Sequence, residues 1–182
     1  MAAERAGVDQ VLATDDTIAR AAKGDRAAFA ALVSLYYDFL YRTAYKWCGN
    51  REDAEDVTQD VCIKLATAIS GFDGRAAFTS WLYRIVLNAV RDRQRQGKRQ
   101  GRQTEALAHV HATEMAPDQE SATTQSQIWD AVRRLPEKQR DAVLLVYGEE
   151  MAHAEAAAIM GTKESTVSWY VHEAKKALKG LV

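Results

Sequence analysis

Residues 78–102 have the sequence FTSWLYRIVLNAVRDRQRQGKRQGR, in which two kinds of side chain follow the same helical spacing. Apolar residues three or four positions apart form the stripe typical of a helix packed on one side: Phe78, Trp81, Leu82, Ile85 and Ala89. Polar and basic residues recur at the same spacing on another face: Arg84, Asn88, Arg91 and Arg95. The spacing predicts one long helix with one face buried and another available to a partner.

The same region carries a local excess of positive charge. Between Arg75 and Arg102 there are eight cationic residues and one acid, Asp92, in a chain whose net charge is −1. Cations concentrated in this way are typical of a surface that binds a polyanion such as nucleic acid. A basic helix end can also be a solvated face that the helix dipole stabilises, so this stretch alone leaves both interpretations open.

Composition favours a folded protein made of helices. The chain has 182 residues, of which 47% are apolar and 27% charged, with only two prolines and ten glycines. This length allows one domain or two small ones, and no stretch alternates apolar and polar residues as a half-buried strand does. Residues 143–147 could form a buried strand, but they follow Pro136 and a charged segment typical of a helix's first turn. The predicted fold class is all-α.

The sequence also indicates where the protein works. No apolar stretch approaches the roughly 20 residues that cross a bilayer, and the first residues lack the basic-then-apolar order of a signal peptide. We therefore expect a cytoplasmic protein that is not inserted into a membrane. Cys48 and Cys62 form no Cys-x-x-Cys pair, and we expect two free thiols in a reducing compartment.

Signals of catalysis are missing from the sequence. It contains no glycine-rich phosphate loop, nucleophile elbow or set of zinc ligands. His109 and His111 form a close pair, but without a third ligand nearby we interpret them as a solvated feature rather than a metal site. We therefore expect no enzymatic activity, cofactor, metal or small-molecule substrate.

Helix start and stop signals organise the first part of the chain. Residues 1–14 have no strong periodicity and are predicted to be a flexible tail. Helices are predicted at about 15–23, 25–47 and 52–69, ahead of the basic helix, with breaks at Gly24, Gly49 and the Gly71–Gly74 loop. We assign residues 15–100 to one helical domain.

A change of composition separates this domain from a second one. From residue 103 to 127 there are four acids and no Lys or Arg, together with Pro117. We predict a flexible linker with some helix over residues 101–127, and a second small helical domain over residues 128–182. Its last two helices, at 154–160 and 164–178, are joined by a short turn containing Gly161, as in a helix-turn-helix.

An acidic ridge is predicted on the third helix. Asp53, Asp56 and Asp60 recur at i, i+3 and i+7 with Gln59 beside them, so these side chains share one face. Such a ridge suits a basic protein partner and repels DNA. Acids near a helix N-terminus also stabilise the helix dipole, but that alternative explains Asp60, two turns into the helix, poorly.

Aromatic residues accompany the cations of the basic helix. Phe72 occupies the glycine-bracketed loop, and Trp81 and Tyr83 follow in the helix. Aromatic faces beside cations can hold unstacked bases of single-stranded DNA, although core packing is the commoner role of such residues. We place Trp81 in the core and leave both roles open for Phe72.

The predicted recognition helix has an unusual front. Ser168, Trp169, Tyr170, His172 and Glu173 occupy it, with lysines only behind them. A recognition helix is usually more basic, and many helical hairpins with a glycine turn do not contact DNA. The sequence supports a helix-turn-helix and leaves its base contacts open.

Three motifs, taken in order, resemble the extracytoplasmic-function sigma factors of bacterial RNA polymerase, a group of the sigma-70 family. They are DAEDVTQDV at 53–61, FTSWLYRI at 78–85 with Asn88 after it, and the segment 135–140 (LPEKQR) ahead of the helix-turn-helix. The resemblance covers about residues 15–179, and the order and spacing of the motifs make the combination specific.

The resemblance implies a binding role for each surface. The acidic ridge would bind the clamp coiled coil of core RNA polymerase through Asp53, Asp56, Gln59 and Asp60. The first domain would bind the minus-ten promoter element and capture a flipped base, using Ala68, Phe72, Arg84, Ile85, Asn88, Arg91 and Arg95, and Arg93 would join the arginines that hold phosphates. The second domain would bind the minus-thirty-five element in the major groove, using Ser165, Thr166, Ser168, Trp169, His172, Lys175 and Lys176.

The function implied is that of an alternative sigma factor that directs promoter recognition, melting and transcription initiation. Its partners would be core RNA polymerase, promoter DNA and an anti-sigma factor.

Two alternatives stay open. A helix-turn-helix regulator that does not bind core polymerase would use residues 1–100 for sensing or dimerisation, but it does not explain the acidic ridge. An interaction protein that is inactive with polymerase would explain the weakly basic recognition helix.

Overall fold

The computed structural model describes residues 15–107 and 124–179, and the side chains of residues 15–97 and 127–179. The elements in chain order are α1 (Asp15–Ala22), α2 (Arg26–Cys48), α3 (Arg51–Ala68), a 3-10 turn (Ile69–Gly71), α4 (Phe78–Leu107), α5 (Thr124–Arg133), α6 (Glu137–Val143), a π-helical turn (Leu144–Gly148), α7 (His153–Met160) and α8 (Glu164–Leu178). These described residues contain no strand, and the all-α prediction is confirmed. Within the same ranges, none of the helices combines the length and the apolar character needed to span a lipid bilayer.

Short polar caps set the ends of α2 and α3. Asp25 precedes α2, and its carboxylate accepts hydrogen bonds from two backbone N–H groups of the first turn, at 2.9 and 3.1 Å. Gly49 ends α2 with a φ of 80°, a left-handed conformation that glycine adopts at little cost. Asn50 then caps α3 by accepting from the N–H of Asp53 at 2.9 Å. The break predicted at Gly49-Asn50 is therefore confirmed as a C-cap followed directly by an N-cap.

The first half of the molecule, α1 to α4, encloses an apolar core. Its fully buried side chains include Leu40, Trp47, Val57, Val61 and Leu82. They come from α2, α3 and α4, and these three helices pack against one another. Val57, Val61 and Leu65 give α3 its inward side, and all three are buried.

α4 is buried over a wider arc than its apolar spacing predicted. Phe78, Leu82 and Ala89 of the predicted stripe are buried, whereas Trp81 and Ile85 are half-buried and pack on the edge of the core. Four further side chains are buried: Tyr83, Val86, Leu87 and Val90. The physical reason is that α4 packs against α2 and α3 on one side and against α7 of the second half on another.

The second half, α5 to α8, contains the predicted helix-turn-helix. Residues 143–147, for which a strand was the alternative, are helical, and α6 leads directly into the π turn. Gly161 ends α7 with a φ of 63°, and α8 spans residues 164–178 as predicted. Val167, Val171 and Ala174 of α8 are buried, so the opposite side of α8 faces solvent.

Helical structure extends into both ends of the predicted linker. α4 continues to Leu107 and α5 begins at Thr124, so both helices enter the range 101–127. Residues 108–123, with the histidine pair at 109 and 111, and the predicted tail 1–14 lie outside the described residues. The domain limits assigned from the sequence stay a prediction.

Both cysteines are free thiols, as predicted. Cys48 and Cys62 are half-buried and form no disulfide. Burial raises the pKa of the Cys48 thiol to about 11 and also raises the pKa of Cys62. Both thiols are therefore protonated at neutral pH, which makes them poor nucleophiles.

Gly49→Ala is expected to destabilise the protein for two reasons. A non-glycine residue in the left-handed conformation costs about 1–2 kcal/mol, and a Cβ at this position would overlap the side chain of Arg133, which lies over Gly49. Gly24→Ala is the matched control, because Gly24 has a φ of 92° and open space where its Cβ would lie. In urea denaturation both variants should lose stability, and Gly49→Ala should lose more. Equal losses would mean that Arg133 moves aside without cost.

Candidate functional site

The acidic ridge lies on α3, and the structure divides it into a paired part and an available part. Arg93 of α4 binds two of its carboxylates: Nε lies 2.9 Å from Asp53 and Nη2 lies 2.6 Å from Asp56. Gln59 and Asp60 are exposed one turn further along the helix. Among the described side chains, Asp60 has no ion-pair partner. The part of the ridge most available to a basic partner is therefore Gln59 and Asp60.

Hydrogen bonding keeps the carboxylate of Asp53 ionised. The Asn50 side chain donates to it at 2.9 Å and Arg93 donates at 2.9 Å. The hydrogen bond from Asn50 is the largest cause of a pKa of Asp53 below its ordinary value, and the contact with Arg93 acts in the same direction. Partial burial acts in the opposite direction. Asp53 therefore joins α3 to α4 as well as belonging to the ridge.

The position of Arg93 corrects one expectation from the sequence. Arg93 was grouped with the arginines that hold phosphates, but its guanidinium is directed at α3 and pairs with Asp53 and Asp56. Two positions along a helix are about 200° of rotation, so Arg93 cannot share a face with Arg91 and Arg95. It supports the acidic ridge instead.

The predicted minus-ten residues on α4 share one face, but they are not equally accessible. Arg84, Asn88 and Arg95 are exposed and Ile85 is half-buried. Only 15% of the Arg91 side chain is exposed, because the second half of the molecule covers it. Asn88 is connected to this contact, since its Oδ1 accepts a hydrogen bond from Arg91 Nη1 at 3.3 Å.

The loop before α4 is attached to an aromatic cluster. Phe72 is half-buried, and its ring centroid lies 5.2 Å from that of Phe78 and 5.3 Å from that of Trp81. Phe78 and Trp81 stack on each other at 5.5 Å. Phe72 thus packs on the core while part of its side chain stays exposed. Ala68, the last residue of α3, is also half-buried.

The predicted residues of the recognition helix lie on its accessible side. Thr166 is half-buried, and the other six are exposed: Ser165, Ser168, Trp169, His172, Lys175 and Lys176. Trp169 is 55% exposed, which is unusual for so large an apolar side chain. The hydroxyl of Ser168 already has hydrogen-bonding partners within the protein. It donates to the Glu164 carbonyl at 3.2 Å and lies 2.8 Å from His153 Nδ1.

A group of contacts between the two halves was not foreseen from the sequence, and we call it the clasp. Its centre is the carboxylate of Asp141 on α6, whose side chain is 1% exposed. Trp47 Nε1 donates to Asp141 at 2.9 Å, and Arg91 donates to it from Nη2 at 2.6 Å and from Nε at 3.2 Å. Arg140, beside Asp141 on α6, donates to the same carboxylate at 3.2 Å and to Gln94 of α4 at 2.7 Å.

The rim of the clasp contains a second carboxylate, the half-buried Glu149. Tyr83 of α4 donates its hydroxyl to Glu149 at 2.9 Å. Lys46 of α2 donates to the Gly148 carbonyl at 2.9 Å. Its Nζ also lies 2.9 Å from Glu149 Oε1, although the approach is not aligned for a hydrogen bond. Burial, together with Glu149, raises the pKa of Tyr83, so its hydroxyl stays protonated.

One sequence signal could have drawn attention to the clasp. Asp141 stands at the head of an apolar run, DAVLLV, where an acid is expected to be buried only if it has a partner. The identity of that partner could not be read from the sequence. In the described part of the chain, no group of three or more His, Cys, Asp or Glu side chains is arranged to hold a metal ion.

Comparison with known proteins finds matches in both halves of the chain. A family model described as Sigma-70 region 2 matches residues 32–100, and one described as Sigma-70, region 4 matches residues 125–178. The ECF RNA polymerase sigma factor SigW of Bacillus subtilis (strain 168) is 32% identical over 168 residues, which span 86% of this chain and 90% of SigW. The ECF RNA polymerase sigma factor SigM of Mycobacterium tuberculosis (strain ATCC 25618 / H37Rv) is 33% identical over 159 residues, which span 87% of this chain and 79% of SigM.

Two solved structures have the same fold. The sigma factor RpoE from Bartonella quintana, in complex with the anti-sigma factor NepR, has a TM-score of 0.64 and 23% identity, and the match covers 84% of this chain and 95% of RpoE. CnrH, in complex with the cytosolic domain of CnrY, has a TM-score of 0.63 and 26% identity, and the match covers 91% of this chain and 94% of CnrH. The 32% identity across 90% of SigW, together with the two region matches, shows that this chain belongs to the extracytoplasmic-function family of RNA polymerase sigma factors.

Proposed function

We propose that this chain is an alternative sigma factor that brings core RNA polymerase to a set of promoters and helps to melt them. The observation that carries the proposal is the presence of two opposite surfaces on neighbouring helices, an acidic one on α3 and a basic one on α4. A protein that only binds DNA has no use for the acidic surface, whereas a sigma factor needs both. The chain would act in the cytoplasm as a binding factor and not as an enzyme.

Each part of the chain has a separate role in this proposal. Residues 15–100 would bind core polymerase and the minus-ten element, and residues 128–182 would bind the minus-thirty-five element. Residues 101–127 would connect them. These limits come from the sequence, and the helices that enter the connecting range would extend both domains by a few residues.

Core polymerase would bind the acidic ridge. Because Arg93 already occupies Asp53 and Asp56, their charges are partly compensated, and Gln59 and Asp60 present the least compensated polar groups. A basic surface on the polymerase would therefore make its main new contacts with Gln59 and Asp60. Asp53 and Asp56 would hold α3 against α4 and add to the field of the ridge.

The basic face of α4 would hold the minus-ten element. Arg84 and Arg95 are exposed and can contact phosphates, which position DNA without selecting its sequence. Asn88, between them on the same face, can contact a base. Flipping a base costs a few kcal/mol, least where the strand is already opening, so binding energy from the polymerase and from a shaped surface can drive melting without catalysis.

The accessible side of α8 would enter the major groove at the minus-thirty-five element. Its front carries no guanidinium, so the bidentate arginine contact that most often selects guanine is not available there. Trp169 offers an apolar surface that suits the methyl group of thymine, and Glu173 can accept from a cytosine amine. Lys175 and Lys176 would bind phosphates.

An anti-sigma factor would control this activity. CnrH, whose match covers 91% of this chain, was solved in complex with the cytosolic domain of CnrY. We propose that this chain likewise has a protein partner that covers its polymerase-binding and DNA-binding surfaces. Co-purification from the native host would identify that partner.

Run-off transcription tests the proposed function as a whole. Purified protein with core RNA polymerase should start transcription on genomic DNA of the host, and the sequenced start sites should share two upstream elements. Core enzyme alone is the control and should give no such starts. Absence of both product and core binding, with duplex DNA bound by the chain alone, would favour a helix-turn-helix regulator.

Asp60→Arg should weaken core binding while leaving the fold intact, because Asp60 is exposed and the variant breaks no ion pair among the described side chains. We expect a loss of about tenfold or more, which corresponds to about 1.4 kcal/mol. Asp38→Arg is the matched control, since it makes the same charge change at an exposed position of α2. Fluorescence anisotropy with core polymerase measures both. Equal affinities would remove Asp60 from the polymerase contact.

Asn88→Ala should leave core binding unchanged and slow promoter melting. Asn88 is exposed and contributes no packing to the core, so the fold should tolerate the change. Permanganate footprinting follows unpaired thymines in the open complex and gives the melting rate. Arg95→Ala is the comparison, because loss of a phosphate contact should lower affinity for all sequences and reduce the salt slope by about one. A melting rate unaffected by Asn88→Ala would exclude a base contact there.

A further inference from the structure

The clasp occupies part of the face that the proposed function gives to DNA. Arg91 lies between Asn88 and Arg95 on the basic face of α4, yet only 15% of its side chain is exposed. Two of its nitrogens donate to Asp141, and its Nε lies 3.1 Å from Glu137, also on α6. Carboxylates of the second half therefore surround the guanidinium where a DNA phosphate would otherwise bind.

A guanidinium binds a carboxylate or a phosphate through the same fork of N–H groups. Arg91 cannot make both contacts at once with the nitrogens that Asp141 already uses. Asn88 is affected too, because its Oδ1 accepts from Arg91 in the clasp. The closed arrangement thus engages two of the side chains expected to contact the minus-ten element.

We propose that the acidic face of α6 takes the place of DNA on α4, so that the free protein is closed and must open before it can bind the minus-ten element. The part of this proposal that concerns DNA rests on the proposed function, whereas the closure itself rests only on the contacts of the clasp. The carboxylates of Asp141 and Glu137 would compete with DNA phosphate for binding to Arg91.

The composition of the clasp suits a contact that opens. The attraction within a buried ion pair only partly compensates the loss of hydration of its charges, so such pairs hold surfaces together less firmly than apolar packing does. When the halves separate, Arg91 and Glu149 can be hydrated again, and Asp141 keeps Arg140 as a partner on its own helix. The hydrogen bond from Trp47 to Asp141 favours the closed state.

Asp141→Asn tests the clasp without changing any residue assigned to DNA or polymerase. The amide keeps the size of the side chain but removes the charge that holds Arg91. Asp38→Asn makes the same chemical change at an exposed site on α2 and is the matched control. Tyr83→Phe, which removes only the hydroxyl that donates to Glu149, is a second and milder variant in case Asp141→Asn does not fold.

Two measurements on the full chain without polymerase are needed. Small-angle X-ray scattering reports whether the halves separate, and anisotropy with a short labelled single strand of mixed sequence reports access to the DNA face. If the open state is populated at about a tenth or less, variants that open the protein should bind this strand about tenfold more tightly or better, since apparent affinity scales with the competent fraction. Wild type and Asp38→Asn should scatter as compact particles and bind alike.

Each outcome decides a separate part of the proposal. A radius of gyration for wild type as large as that of Asp141→Asn would overturn closure. A larger radius of gyration for Asp141→Asn or Tyr83→Phe, without tighter binding of the single strand, would overturn the competition between the α6 carboxylates and DNA. Expansion with tighter binding, and loss of the difference once core polymerase is present, would support the proposal. Failure of run-off transcription would count against the proposed function and leave the scattering result on closure intact.

Discussion

The arrangement of the two halves depends on one buried carboxylate. An ionised carboxylate that is out of contact with water needs hydrogen-bond donors around it, or it is costly to bury. Asp141 receives its donors from three helices: Trp47 on α2, Arg91 on α4 and Arg140 on α6. Because these bonds have narrow limits of distance and angle, they determine where α6 lies on the first half, which apolar contact alone would define less closely.

α4 shows how one helix can serve several neighbours. Its apolar arc packs into the core, Arg93 supports the acidic ridge on another side, and a third face carries Arg84, Asn88 and Arg95. Successive residues of a helix are about 100° apart around its axis, so residues that are close in the sequence can contact different neighbours. The polymerase-binding and DNA-binding surfaces of the proposed function are thereby coupled through a single rigid element.

Local features of this protein were predictable from the sequence, and contacts between distant residues were not. The ends of α2 and α7 followed from Gly49 and Gly161, because their left-handed conformations are local properties of the chain. The wider buried arc of α4 and the pairing of Arg91 were missed. Arg91 and Asp141 are 50 residues apart in the sequence. A count of charges in one segment does not distinguish a cation that is free to bind DNA from one that is paired with a carboxylate elsewhere in the chain. For the same reason the individual site residues remain proposals, whereas the family follows from the comparisons.

The π-helical turn has a consequence for how this family member can vary. Its hydrogen bonds join residues five apart, such as Glu149 N–H to the Leu144 carbonyl at 2.9 Å, and so accommodate one residue more than an α-helical turn. Deletion of a single residue there would restore α-helical spacing with little net rotation, because a turn closed by residues five apart and one closed by residues four apart each complete about one rotation. The helices that follow would keep their direction, and Glu149 would stay on the side of Tyr83. The same deletion inside α7 or α8 has no such compensation and would rotate the rest of that helix by about 100°, so it should be far less tolerated there than in residues 144–148.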